Sequence, residues 1–117
     1  MVWRHAHLLE RVAAAATEAP GSLDPDVRRV IQARAAALGG DPDLSGTEVG
    51  TELTGPMAAY VDKVALEAYR VVDGDVEAIL AEGYGEDDIF EMTVCASVGA
   101  ALGRFERGIR ALADTER

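Results

Sequence analysis

Side chains suited to acid–base chemistry are concentrated in one short stretch, residues 68–75, which reads AYRVVDGD. The stretch combines a phenol, a guanidinium and two carboxylates, and an amine lies about two helical turns before it. Side chains of these types can transfer protons and bind anions. We therefore take five residues as candidate catalytic residues: Lys63, Tyr69, Arg70, Asp73 and Asp75.

The same residues also fit a structural role at the junction between two helices. Asp73 is suited to cap the helix that follows, and Asp75 would lie in its first turn, where a negative charge is favourable. Glu67 is spaced for an ion pair on a helix surface with Arg70, three residues later, and with Lys63, four residues earlier. On a helix Tyr69 points about 100° away from Arg70, so these two side chains diverge. The stretch is therefore either an active site or a hinge.

The other reactive residue types are few and scattered. Cys95 is the only cysteine, and it lies among alanines with no nearby base, which indicates a buried structural thiol. His5 and His7 are two residues apart, so a helix would point them in different directions and they could not chelate one metal. We expect them at the surface or at a subunit contact. Glu48 and Glu52 could line a pocket or simply be solvated.

The elements that would position these residues are all predicted to be helices, because no β-strand alternation is present. Asp24 followed by Pro25 is typical of a helix start, and Gly83 is typical of a helix end. Residues 40–54 are predicted to form a long irregular segment that is either functional or mobile. The apolar spacing predicts five helices, over about residues 2–18, 25–38, 56–71, 75–83 and 86–113.

The last predicted helix carries an apolar seam with the spacing of a heptad repeat. Its length would be about 42 Å, which exceeds the size of a compact chain with 117 residues. A helix that overhangs its own domain with an apolar seam requires a partner, so the sequence predicts a homo-oligomer. The seam consists of Cys95, Val98, Leu102, Phe105, Ile109 and Leu112.

Composition narrows the possible partners. The formal net charge of −10 disfavours binding to nucleic acid or to an anionic membrane surface. No apolar run approaches the ~20 residues of a membrane-spanning helix, and the charges near the N-terminus come too early for a signal peptide. A single cysteine excludes a disulfide within the chain. We therefore expect a cytoplasmic protein with no cofactor and no metal ion.

The segment DVEAILAEGYGEDDIFEMT, residues 75–93, resembles the conserved half-repeat of the carboxymuconolactone decarboxylase and alkylhydroperoxidase AhpD-like superfamily. The family signature is a histidine, a glycine eight residues later, and a glutamate eight residues after the glycine. Asp75, Gly83 and Glu91 occupy these three positions here. The resemblance implies an all-α, oligomeric protein, and it extends more loosely over residues 56–112.

The redox residues of the family are absent from this chain. AhpD-like enzymes use a Cys-x-x-Cys-x-x-x-His motif with an upstream glutamate, because a reactive thiolate needs a neighbouring base and a resolving thiol. The two cysteine positions correspond to Ala68 and Val71, the histidine to Asp75, and the upstream acid to Pro56. The resemblance therefore implies no thiol peroxidase activity.

The decarboxylase branch of the family implies a different chemistry, on a small carboxylated lactone. In that reading Arg70 would bind the substrate carboxylate and Tyr69 would donate a hydrogen bond to a developing enolate. Asp73 or Asp75 would act as the base, with Lys63 nearby.

We therefore expect one all-α, AhpD-like domain of about five helices over residues 1–117. N-terminal helices and a loop would occupy residues 1–54, and the AhpD-like core residues 55–113. A non-redox oligomeric protein is the first hypothesis for its function. The alternatives are a decarboxylase, lyase or isomerase acting on a carboxylated substrate, or a domain that binds a small anionic ligand without reaction.

Overall fold

The computed structural model describes residues 5–41 and 52–115, and all regular structure in these two ranges is helical. The predicted all-α class with five helices is thus confirmed. In chain order the helices are α1 (Ala6–Glu18), α2 (Pro25–Gly40), α3 (Gly55–Glu67), α4 (Asp73–Ala81) and α5 (Glu86–Thr115). A short 3₁₀ turn, Ala68–Arg70, separates α3 from α4.

The centre of the fold is the contact between α2 and α5, where the two backbones touch. A methyl group placed on Gly99 would overlap the carbonyl oxygen of Gln32, and one placed on Gly103 would overlap that of Ala36. From the α2 side, a methyl group on Gly39 would come within 2.9 Å of the Ala100 Cα atom. Only residues without a side chain permit this approach, which explains why glycine occupies positions 99 and 103 of the last helix.

Polar pairs attach α3 to this central pair of helices. The guanidinium of Arg34, a buried residue of α2, forms a two-point contact with Asp62 of α3, with distances of 2.6 and 2.8 Å. Tyr60 of α3 shares a hydrogen bond of 2.7 Å with Thr93 of α5. Arg104 of α5 donates to the carbonyl oxygen of Ala65 near the end of α3. Each of these polar groups is thus hydrogen-bonded where α3 meets the central pair.

The structure confirms some of the predicted helix ends and contradicts others. Asp24 caps α2, its carboxylate accepting from the Asp26 amide at 2.7 Å, as predicted. Gly83 has a φ of +102°, which favours glycine at the turn after α4. The prediction that α3 continues to residue 71 is wrong, because the α-helix ends at Glu67 and Ala68 is exposed in the 3₁₀ turn.

The long last helix is confirmed, but its seam is covered unevenly. Helix α5 has 30 residues, so it extends about 45 Å along a molecule whose longest dimension is 51 Å. Cys95, at the start of the seam, is buried, while Leu112 at its end is exposed. The four residues between them are half-buried: Val98, Leu102, Phe105 and Ile109.

The tight contact between α2 and α5 makes a direct prediction about two glycines of the same helix. Gly99→Ala gains about 1 kcal/mol of helix propensity but forces the backbones apart, so we expect a net loss of roughly 1–2 kcal/mol of folding stability. Gly108→Ala is the matched control, because a methyl group there meets no atom within 4 Å. We expect it to stabilise the protein by about 0.5–1 kcal/mol.

Urea denaturation followed by circular dichroism at 222 nm measures both changes. Equal stabilisation by the two variants would contradict the backbone contact at Gly99.

Candidate functional site

Two of the five candidate catalytic residues come together in the structure. The amine of Lys63, on α3, lies 2.8 and 2.9 Å from the two carboxylate oxygens of Asp75, on α4. Asp75 also accepts a hydrogen bond of 2.9 Å from the backbone amide of Val72, which precedes the helix. Its carboxylate therefore performs two tasks, an ion pair between helices and half of a capping box.

The other three candidates lie apart from this pair, on the outside of the molecule. Arg70 donates to Glu67 at 3.0 Å in an exposed ion pair three residues apart, as the structural interpretation predicted. Tyr69 is 85% exposed in the 3₁₀ turn. Asp73 is the first residue of α4, and the N-cap position is held by Val72, so the prediction that Asp73 caps this helix is wrong. Asp75, the third residue of the helix, instead accepts from the amide of this N-cap residue.

The electrostatics of the pair stabilise the charged form of Asp75. The hydrogen bond from Lys63, followed by the one from the Val72 amide, holds the pKa of the Asp75 carboxyl below its usual range. A carboxylate with a lowered pKa is a weaker base than a free one at neutral pH. The arrangement of the five residues thus favours a structural role, in which the ion pair between Lys63 and Asp75 joins α3 to α4. We call this ion pair the clasp.

A second polar cluster, which the sequence did not reveal, lies beneath α1. Arg28 of α2 is only 3% exposed, and its Nε atom lies 3.8 Å from a carboxylate oxygen of Glu91 on α5. This Nε has no hydrogen-bond partner among the described residues, while Nη1 donates to the carbonyl oxygen of Ala16 at 3.3 Å. Glu91 also accepts from the backbone amides of Ser22 and Leu23, at 2.7 and 3.0 Å.

The first turns of α5 therefore hold the loop between α1 and α2. Glu91 binds two loop amides, and Asp88 accepts a hydrogen bond from the Ser22 hydroxyl. That bond and the Gly85 amide lower the pKa of Asp88. A methyl group on Gly21 would lie 2.5 Å from a Glu91 oxygen, so a larger residue there would displace the end of the Glu91 side chain.

Cys95 lies at the inner edge of this cluster and is fully buried. Its Sγ atom is 3.5 Å from the carbonyl oxygen of Ala16, the same atom that Arg28 contacts. Burial raises the pKa of the thiol, an effect that Arg28 opposes. A buried thiol with a raised pKa is poorly suited to redox chemistry, because the thiolate is the nucleophile.

One sequence signal could have revealed this cluster. Arg28 falls on the apolar stripe of α2, three residues before Ile31 and seven before Ala35, so helical geometry directs a charge toward the core. Glu91 stands four residues before Cys95 on α5, on the facing surface. Buried charges are usually paired, and the two charges could have been matched on that ground.

The remaining candidates form no site in the described part of the chain. His5 and His7 lie at the start of α1, and both are exposed, as expected. Glu52 is exposed, whereas Glu48 and most of the long segment over residues 40–54 lie outside the described residues. Within residues 5–41 and 52–115 no group of three or more His, Cys, Asp or Glu side chains could hold a metal ion. No helix in these ranges is long and apolar enough to cross a membrane.

Comparison with known protein families, with curated proteins and with solved structures finds no match to this chain.

The clasp between Lys63 and Asp75 predicts a pH-dependent contribution to stability. Because the folded pKa of Asp75 is lowered, the contribution is complete above the ordinary aspartate pKa and is lost as the pH falls through the folded value. We expect Asp75→Asn to lower the urea midpoint at neutral pH, and the difference from the wild type to shrink below about pH 4.

The matched control is Asp73→Asn, two residues earlier in the same first turn but exposed. Its urea midpoint should change less, since it removes only a favourable charge at the helix start. A larger effect from Asp73→Asn than from Asp75→Asn would contradict the clasp.

Proposed function

We propose that this chain is a self-associating helical protein of the AhpD-like kind that performs no thiol chemistry. The observation that carries the proposal is the pairing of a fully buried sole cysteine with several large apolar side chains left exposed. The burial of the cysteine argues against a reactive thiol. The exposed apolar side chains argue for a surface that contacts a partner. A cytoplasmic location remains a prediction from cysteine usage.

The absence of thiol chemistry is supported by the positions that the family would use. The two cysteine positions are held by Ala68, in the 3₁₀ turn, and by Val71, which packs against the core. The histidine position is held by Asp75, which is engaged by Lys63. Cys95 has no second cysteine with which to form a disulfide within the chain, so a cycle of two thiols within the chain is excluded.

Self-association is supported by the distribution of apolar surface. A small monomer normally buries most of its large apolar side chains, and contiguous exposed patches mark contact sites. Seven such side chains are exposed in the described residues: Leu8, Val12, Tyr69, Val72, Leu80, Phe90 and Leu112. They lie on α1, α4, α5 and the segment between α3 and α4, which offers more than one face to a partner.

Acid–base catalysis and anion binding at Lys63, Tyr69, Arg70, Asp73 and Asp75 remain predictions from the sequence. Both cations of this set are engaged by carboxylates, Lys63 by Asp75 and Arg70 by Glu67. An anionic ligand would have to displace one of these partners, so we give the structural role precedence.

The proposed lack of thiol chemistry predicts an unreactive cysteine. We expect Cys95 in the native protein to react with Ellman's reagent at least roughly a hundredfold more slowly than in urea, because the reagent reaches the thiol only after local opening. The control is Ser97→Cys in a Cys95→Ala background, since residue 97 is exposed on the same helix. Rapid native labelling of Cys95 would overturn this part of the proposal.

The proposed self-association predicts a mass above that of one chain, 12.4 kDa. Sedimentation velocity from low to high micromolar concentration should show a reversible assembly whose population rises with concentration. A mass of one chain throughout that range would overturn self-association.

A further inference from the structure

The exposed apolar side chains of α1 and the first turns of α5 form one continuous surface. Leu8, Val12, Ala15 and Ala19 are spaced four, three and four residues apart along α1 and its C-cap, so they share one helix face. The exposed fractions of the three largest are 46% for Leu8, 52% for Val12 and 68% for Phe90. We call this surface the α1–α5 band, and it consists of Leu8, Val12, Ala15, Ala19, Phe90 and Val94.

We infer that the α1–α5 band is the contact surface for a second copy of this chain, related to the first by a two-fold axis near Ala15. This inference rests on the proposed self-association and specifies its face and symmetry. It places the contact on α1 and the start of α5, whereas the heptad seam suggested the later turns of α5.

The sizes of the side chains along the band support a two-fold arrangement. Ala15 lines both of the grooves that make up the band, so it lies at the middle. Leu8 and Val12 lie on one side of it, and Phe90 lies on the other. Rotation by half a turn about the middle places Leu8 and Val12 against Phe90 of the second copy, while the small Ala15 lets the two α1 helices approach closely.

The charges along the band have the same complementarity. Arg11 lines the groove at the end with Leu8 and Val12, and Asp87 lines the groove at the end with Phe90. Neither residue has an ion-pair partner among those that the structure describes. The two-fold axis brings each Arg11 toward Asp87 of the other copy, which gives two equivalent ion pairs.

A second copy fits this surface better than other classes of partner. The formal charge of −10 disfavours nucleic acid and anionic lipid, neither of which would supply a cation for Asp87. A self-complementary surface needs no further component, because its own two ends carry the matching groups.

The test is a charge exchange measured by sedimentation equilibrium on the full chain. Arg11→Asp and Asp87→Arg each place two like-charged pairs in the contact. Each should therefore raise the dissociation constant of the dimer by roughly tenfold. The double variant Arg11→Asp/Asp87→Arg restores opposite charges and should return the constant to within about threefold of the wild-type value. Because the two residues lie at opposite ends of the α1–α5 band, restoration requires contact between copies.

Arg107→Asp is the matched control, with the same change in net charge at an exposed position of α5 outside the band. It should leave the dissociation constant within about threefold of the wild-type value. Circular dichroism should show the same helix content for all variants, since every changed side chain is exposed.

The possible failures are distinguishable. A wild-type chain that remains monomeric overturns both the self-association and this inference. This face is overturned, while self-association stands, if neither single substitution changes the dissociation constant. The same holds if Arg107→Asp weakens the assembly equally, or if the double variant does not restore it. An assembly of odd copy number with three-fold symmetry overturns it as well, because a two-fold contact cannot generate one.

Discussion

The backbone contact between α2 and α5 is the constraint on which the other features depend. Gly99 and Gly103 of α5 lie against the carbonyl oxygens of Gln32 and Ala36 of α2, and Gly39 lies against Ala100. Dispersion forces at this separation compensate for the low helix propensity of glycine. The contact also uses little side-chain volume, so the aliphatic core must be completed by α1, α3 and α4, the helices that flank the pair.

The flanking helices are joined to this central pair by charged side chains as well as apolar ones. Arg28 and Arg34 of α2 are both buried, and each has a carboxylate partner on another helix, Glu91 or Asp62. Arg28 also reaches the end of α1 through the carbonyl oxygen of Ala16. Removing one partner from such a pair would leave an uncompensated buried charge, which is strongly destabilising. These ion pairs thus specify which helices pack against each other. Small apolar residues distinguish poorly between alternative packing partners.

The sequence predicted the local elements better than their relations. Periodicity, together with Asp24, Pro25 and Gly83, located the helices, because helix ends are determined by neighbours in the chain. The 3₁₀ turn at residues 68–70 was missed, since apolar spacing continues through it. The Arg28 cluster was missed because its members are up to 79 residues apart, and only the fold brings Ala16 to Cys95. Local spacing predicted the pair between Glu67 and Arg70, which the structure confirms. It also predicted a pair between Lys63 and Glu67, which is wrong, because Lys63 binds Asp75 on the next helix.

The three positions that carry the family resemblance each have a mechanical role in this structure. Asp75 binds the amide before α4, Gly83 supplies a positive φ after it, and Glu91 holds the loop before α2. Their spacing of eight follows from a short helix, a tight turn and the first turns of a long helix. A spacing of this kind describes how two helices are ended and anchored. The three residues therefore carry information about the arrangement of the helices rather than about a reaction.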